Sequence, residues 1–166
     1  MESSALFSLL GFFVANFATA SSGAFFKPGA WYEGLAKPSW CPPNWAFPVV
    51  WTTLVCLIAV SGWLVWRAGG GWSPALTVYA IHLGLNALWS AIFFGMRRLG
   101  LALVELVVFW CSILATMILF HPISPLATWL LAPYLLWVTI AGFLNLSMWR
   151  LNAAPAARSS PDPRRA

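Results

Sequence analysis

Charge is what this chain most lacks. Of its 166 residues only 8% are Asp, Glu, Lys or Arg, and just four are acidic, whereas a soluble domain carries about 25% charged residues. That deficit excludes an ordinary soluble fold. Cysteine is scarce as well: Cys41, Cys56 and Cys111 form an odd, scattered set, which argues against a disulfide framework or a zinc site. The sequence has no metal-ligand cluster, no nucleophile with an adjacent base and no phosphate-binding loop, which argues against conventional hydrolytic or transfer chemistry. No basic patch interleaved with aromatics supports a nucleic-acid partner. No short repeat points to a fibre.

What the chain has instead is apolar and aromatic surface. Hydrophobic residues make up 61% and aromatics 16%, with 12 tryptophans, and the mean hydropathy is +0.80. A bilayer core about 30 Å thick needs roughly 20 apolar residues of helix to cross it. Five windows of that kind occur, at 5–26, 46–66, 74–96, 101–120 and 125–149. They are continuously apolar and lack the alternation of a membrane β-barrel. The first window is read as a retained helix, because Glu2 and the absence of Lys or Arg before it do not suit a secretory signal. The expected fold is therefore an all-α integral membrane protein, a five-transmembrane-helix bundle over residues 1–151. Residues 152–166, rich in Ala, Pro, Ser and Arg, read as a disordered basic tail.

Five spans put the termini on opposite sides. Lys27, Lys37, Arg97, Arg98, Arg150, Arg158, Arg164 and Arg165 fall on the side of the C-terminus, and only Arg67 on the other. This bias predicts the C-terminus and first loop inside and the N-terminus outside. It does not say which membrane holds the chain.

Helical spacing then sorts the side chains. Gly11, Ala15, Thr19 and Gly23 recur every fourth residue and predict a stripe against which a neighbouring helix packs, with a ligand-channel lining or a dimer face as the other readings. In the third window Tyr79, His82, Asn86 and Trp89 share a face, which should look inward. Glu105 is the only acidic residue within a span; it is expected to be held neutral, to bond an inward group such as Asn86 or a facing backbone group, or to act at a polar site. His82 reads as a hydrogen-bonding core residue, since no second haem ligand is spaced with it. Pro133, Trp137, Ala141 and Asn145 line one face of the last window, with Pro133 freeing a carbonyl near Trp129. Two readings of that face stand level: the wall of a pocket, or packing alone.

The first loop, Lys27 to Trp45, holds Pro28, Pro38, Pro42 and Pro43 beside Trp31, Tyr32, Trp40 and Trp45. Restricted backbone with large aromatics suits a lid folded over one mouth of the bundle, not a flexible linker. Trp63, Trp66, Trp72, Trp129 and Trp149 lie near span ends and suit a headgroup belt, and Trp110 is assigned to packing. Trp31, Trp40, Trp45, Trp51, Trp89 and Trp137 are expected around one mouth.

Three stretches together carry a family resemblance: WYEGLAKPSWCPPNWAFPVVWTTL from Trp31 to Leu54, LNALWSAIFFGMRRLGLALVE from Leu85 to Glu105, and PYLLWVTIAGFLNLSMWRLN from Pro133 to Asn152. The chain resembles the TspO/MBR family, also called translocator proteins, peripheral benzodiazepine receptors or tryptophan-rich sensory proteins. The resemblance implies a pocket beneath the first loop and a homodimer. It also implies porphyrin ligands such as protoporphyrin IX, and isoquinoline or benzodiazepine compounds in some members. No cofactor and no metal are implied beyond the porphyrin as ligand. Carried over by position, the ligand would meet Trp51, Asn86, Trp89, Trp137, Ala141 and Leu144, with Trp31, Trp40 and Trp45 from the lid and His82, Glu105 and Asn145 as polar interior. Trp51 and Trp137 match the pair linked in bacterial relatives to light- and oxygen-dependent porphyrin breakdown, which makes them the candidate catalytic residues. Two departures stand out. Leu144 to Arg150 lacks the tyrosine of the mammalian cholesterol motif, which argues against cholesterol by that route, and His82 stands where many relatives have glutamine. Three functions compete: porphyrin binding for transport or sensing, photo-oxidative porphyrin breakdown, and a structural or regulatory role as a dimer.

Overall fold

The computed structural model describes residues 2–26 and 29–153. The remainder of the predicted tail, residues 154–166, lies outside the described residues, as does Lys27. Among the described residues the regular structure is helical: α1 Glu2–Ala20, α2 Ser22–Phe25, α3 Ala30–Glu33, α4 Ala46–Gly69, α5 Pro74–Ser90, α6 Leu99–Phe120, α7 Pro125–Leu130 and α8 Ala132–Ala153, with a π-helical turn over Ala91–Gly95. Four stretches are long and apolar enough to cross a membrane, Ala46–Gly69, Pro74–Gly95, Leu99–Phe120 and Pro125–Ala153, and a shorter apolar helix covers Ala5–Ala20. The chain is an all-α, multi-pass integral membrane protein.

Local chemistry sets several helix ends. Ser73 and Ser124 each precede a proline and accept the backbone N–H three residues on, from Leu76 and Ala127; side-chain capping and a proline in the first turn both favour a helix start. α4 stops at Gly70, whose φ of +70° is a left-handed conformation that glycine adopts without penalty. At the start of α6 the chain takes a costlier route. Arg97 has φ +58°, a region that costs a side-chain-bearing residue about 1–2 kcal/mol. After allowing for glycine's greater unfolded-state entropy, Arg97→Gly is expected to raise stability by about 0.5–1 kcal/mol. A denaturation midpoint that falls in this variant would contradict it.

The spans close into a ring. α1 packs mainly on α4 and also touches α5; α5 lies on α6, α6 on α8, and α7 on α4. Two hydrophobic clusters fill the interior. The larger includes Ile58, Leu83, Phe109, Phe120, Tyr134 and Val138. The smaller lies under the first loop and includes Tyr32, Ile92, Phe93, Ala102, Leu144 and Met148.

Several expectations are corrected here. The small-residue stripe is not the packed face of α1: Gly11, Ala15 and Gly23 are exposed, with open space around Gly11 and Gly23. The helix turns Phe12 and Asn16 inward instead, because the Asn16 amide finds the Tyr79 hydroxyl at 2.6 Å and Phe12 meets the rings of Trp66 and Tyr79 edge-on. The third span leaves α-helical geometry after Ser90, where Met96 N–H bonds back to Ala91 O over five residues. Such π-turns often occur at functional sites. The fifth span breaks at Leu131, which places Pro133 in the first turn of α8, where its missing N–H costs no ladder bond. α8 runs on through Asn152 and Ala153, which were read as tail; side-chain bonds from Asn152 hold its last turn.

Candidate functional site

The first loop folds onto the bundle through buried aromatics. Tyr32 on α3 is buried against Phe93 and Phe94, at ring-centroid distances of 6.3 and 5.5 Å, and Trp31 meets Phe93 edge-on at 6.1 Å. Lys37 places its ammonium 4.5 Å over the Tyr32 ring and donates to Glu33 O, a cation–π contact with a local hydrogen bond. Burial, with the Cys41 thiol nearby adding to it, pushes the Tyr32 phenol up to about 12, so it stays neutral. The far side of the loop is tied to the end of α8. Asn152 accepts from the Ala36 N–H at 3.0 Å and donates to Ala36 O at 2.9 Å, the two-bond pattern one strand offers another.

Beneath this lid, the two core clusters meet along an aromatic seam. Trp89 packs against both clusters and stacks on Phe93 at 4.8 Å. Phe47, at the start of α4, meets Trp137 of α8 edge-on at 5.7 Å. One turn further along α4, Trp51 meets Tyr134 edge-on at 6.2 Å. Ala141 is half-buried, and Leu144 and Asn86 are buried. Trp31, Trp51, Trp89 and Trp137 are thus half-buried between lid, α4, α5 and α8. Edge-to-face and offset aromatic contacts of this kind favour flat, π-rich partners.

In and beneath the seam lie polar atoms without partners. Trp89 Nε1, both ring nitrogens of His82, the Tyr134 hydroxyl, both Glu105 carboxyl oxygens and Asn145 Oδ1 have no hydrogen-bond partner among the described residues. For Glu105 this corrects one of the alternatives, the bond to Asn86 or a facing backbone group. Asn145 Nδ2 instead donates to Leu99 O at 2.9 Å, and Ser112 and Thr116 turn back on their own helix. No group of three or more metal-ligating side chains occurs among the described residues. What the seam offers is indole faces beside a few unpartnered polar atoms.

A separate groove of about 250 Å³ opens between α6 and α8, lined by residues including Leu106, Trp110, Val138, Thr139 and Gly142. Its neighbours Val107 and Phe143 are more than half exposed, so it faces lipid. Lacking convergent polar groups, it is the weaker candidate.

Comparison with known proteins decides the family. The TspO/MBR family model matches residues 4–150. The chain belongs to the TspO/MBR family. It is 44% identical over 146 residues to Protein CrtK of Rhodobacter capsulatus, covering 85% of this chain and 90% of that protein. It is 42% identical over 151 residues to the Tryptophan-rich sensory protein of Cereibacter sphaeroides, covering 90% and 95%. It is also 42% identical over 126 residues to the Translocator protein of Homo sapiens, covering 74% and 75%. Membership places the chain among membrane proteins of the sensor and translocator kind.

Within this TspO/MBR chain the twelve tryptophans divide differently from their spacing. Trp40 and Trp45 of the lid are 49% and 69% exposed and stand outside the aromatic contacts of the seam. Trp63, assigned to the belt, instead points its Nε1 at Ala5 O and the Ser8 hydroxyl, with Arg67 over its ring; it joins α1 to α4. Trp110, assigned to packing alone, donates to Thr139 at 2.8 Å and so ties α6 to α8. Asn16 and Asn152 were missed altogether. An asparagine in an otherwise apolar helix was the available signal for Asn16, since a polar group at bilayer depth needs an internal partner.

Proposed function

We propose that this TspO/MBR chain binds a planar, largely apolar ligand in the indole seam, a porphyrin such as protoporphyrin IX or a flat drug-like compound of isoquinoline or benzodiazepine type, and senses or translocates it. The observation that carries this reading is the convergence of four half-buried indoles, Trp31, Trp51, Trp89 and Trp137, from the lid and three helices around one seam. A flat macrocycle gains from indole faces and edges, and its propionates would lie toward the lid and its lysines. The lid is taken to face the cytoplasm, following the basic residues on its side, and the chain is taken to act as a homodimer.

Added protoporphyrin IX should quench the tryptophan fluorescence of the purified protein saturably. Trp51→Phe and Trp137→Phe should each weaken binding about fivefold, the equivalent of ~1 kcal/mol per lost indole contact. Absence of saturable quenching would overturn the reading. Illuminating the complex tests the photo-oxidative alternative. Loss of the Soret band in the parent protein but not in the Trp51/Trp137 double variant would assign the chemistry to these side chains; equal loss in both would leave binding as the function.

A further inference from the structure

Below the seam lies a pair of side chains that ligand stacking does not use. His82 on α5 and Tyr134 on α8 are fully buried, and their rings approach at a centroid distance of 5.8 Å with a 52° tilt. Neither imidazole nitrogen has a hydrogen-bond partner among the described residues, and neither does the phenol. One polar neighbour, Tyr79, is already satisfied. The Tyr79 hydroxyl accepts from Asn16 and donates to Ile58 O at 3.1 Å, so Tyr79 offers His82 only an edge-on ring contact at 4.9 Å. An N–H aimed at that ring would be weakly satisfied, which still leaves the acceptor nitrogen of His82 and the hydroxyl of Tyr134.

A neutral imidazole has one donor and one acceptor, and a phenol has both. Buried groups of this kind are ordinarily paired, and where protein supplies no partner an internal water or a ligand atom does. We propose that His82 and Tyr134 together bind one neutral oxygen between α5 and α8: a water in the free protein, replaced by a carbonyl or hydroxyl oxygen of a ligand seated among the indoles. The position fits. Tyr134 lies three residues before Trp137 and His82 four before Asn86, so the pair sits one helical turn beneath the seam, with Trp51 edge-on to Tyr134. The chemistry fits as well. The surrounding cluster is apolar, with Ile58, Leu83, Phe109 and Val138 in it, and an anionic group there would have no compensating charge. The ligand half of the proposal rests on the binding reading above; the water half does not.

A double-variant cycle on thermal unfolding tests the water half. Tyr134→Phe and His82→Leu should each lower the melting temperature, because each leaves the other group and the shared oxygen short of a partner. The double variant should lose less than the sum of the two, since removing both partners removes the orphan. A rise in melting temperature for Tyr134→Phe, or strict additivity, would overturn it. If a variant fails to fold, ¹⁵N spectra of His82 in the parent protein decide: a hydrogen-bonded shift for the acceptor nitrogen supports the site, and a free-imidazole shift overturns it.

For the ligand half, the probes are 9-fluorenone and fluorene, flat compounds that differ by one carbonyl. Fluorenone should bind about fivefold more tightly to the parent protein, an advantage lost in Tyr134→Phe. Equal affinity for both would overturn the ligand half and leave a hydration site. If neither probe nor porphyrin quenches tryptophan fluorescence, the binding reading fails while the unfolding cycle still stands.

Discussion

Gly62→Ala is expected to destabilise the bundle by about 1–3 kcal/mol, the cost typical of overpacking a filled core, and Gly62→Leu to prevent assembly. Gly62 is buried in α4 at the contact with α1 and α5. A Cβ there would lie 2.7 Å from Tyr79 Cζ and 2.9 Å from two ring carbons of Phe12. Neither ring is free to yield. Tyr79 is held by Asn16, by Ile58 O and by stacking on Phe120 at 5.8 Å, and Phe12 sits between Trp66 and Tyr79. Thermal unfolding in micelles or bilayers measures the effect. Gly84→Ala is the control, since nothing lies within 4 Å of a Cβ at Gly84 and alanine is the better helix former. Equal stability of Gly62→Ala and Gly84→Ala would refute the prediction.

The second large effect is expected at the lid. Asn152→Leu removes both bonds to Ala36 and the bond to Met148 O. The contact is exposed, so its loss is placed at the lower end of hydrogen-bond values, about 1–2 kcal/mol for the pair. That corresponds to roughly a five- to thirtyfold rise in the population of the open lid. Hydrogen exchange at the Ala36 amide should accelerate by the same factor, and the porphyrin proposed as ligand should associate and dissociate faster. Asn152→Asp should act in the same direction, because it loses the donor and sets a carboxylate against a carbonyl near the C-terminus of α8, where negative charge is unfavourable. Unchanged exchange at Ala36 in both variants would show that the lid is held by its buried aromatics alone.

Legibility in the sequence followed the range of the interaction. Spans could be read because they depend on residues within a few positions: uninterrupted apolar runs, two of which open at Pro74 and Pro125. The inward direction of Tyr79, His82 and Asn86 could be read too, since a polar group costs more in lipid than in a bundle. The outward face of α1 could not. Small residues permit close packing but do not require it, and the Asn16–Tyr79 bond, across 63 positions, turned the helix the other way. The same holds for Trp40 and Trp45. Composition grouped them with Trp31, but only the path of the loop sets which indoles descend into the seam.

By itself, then, the sequence determined that this is a multi-pass helical membrane protein, because low charge and continuously apolar runs of bilayer length suit helices that satisfy their own backbone, while the TspO/MBR resemblance was carried by three separate motifs. The tertiary structure alone decided which side chains meet: Trp89 shared by two clusters, Asn152 latching the lid, and His82 facing Tyr134 beneath the indoles. Helical periodicity tells which residues share a face. It is silent on which face of which neighbour stands opposite, because in lipid that choice rests on close packing and on pairing a few buried polar groups far apart in the chain.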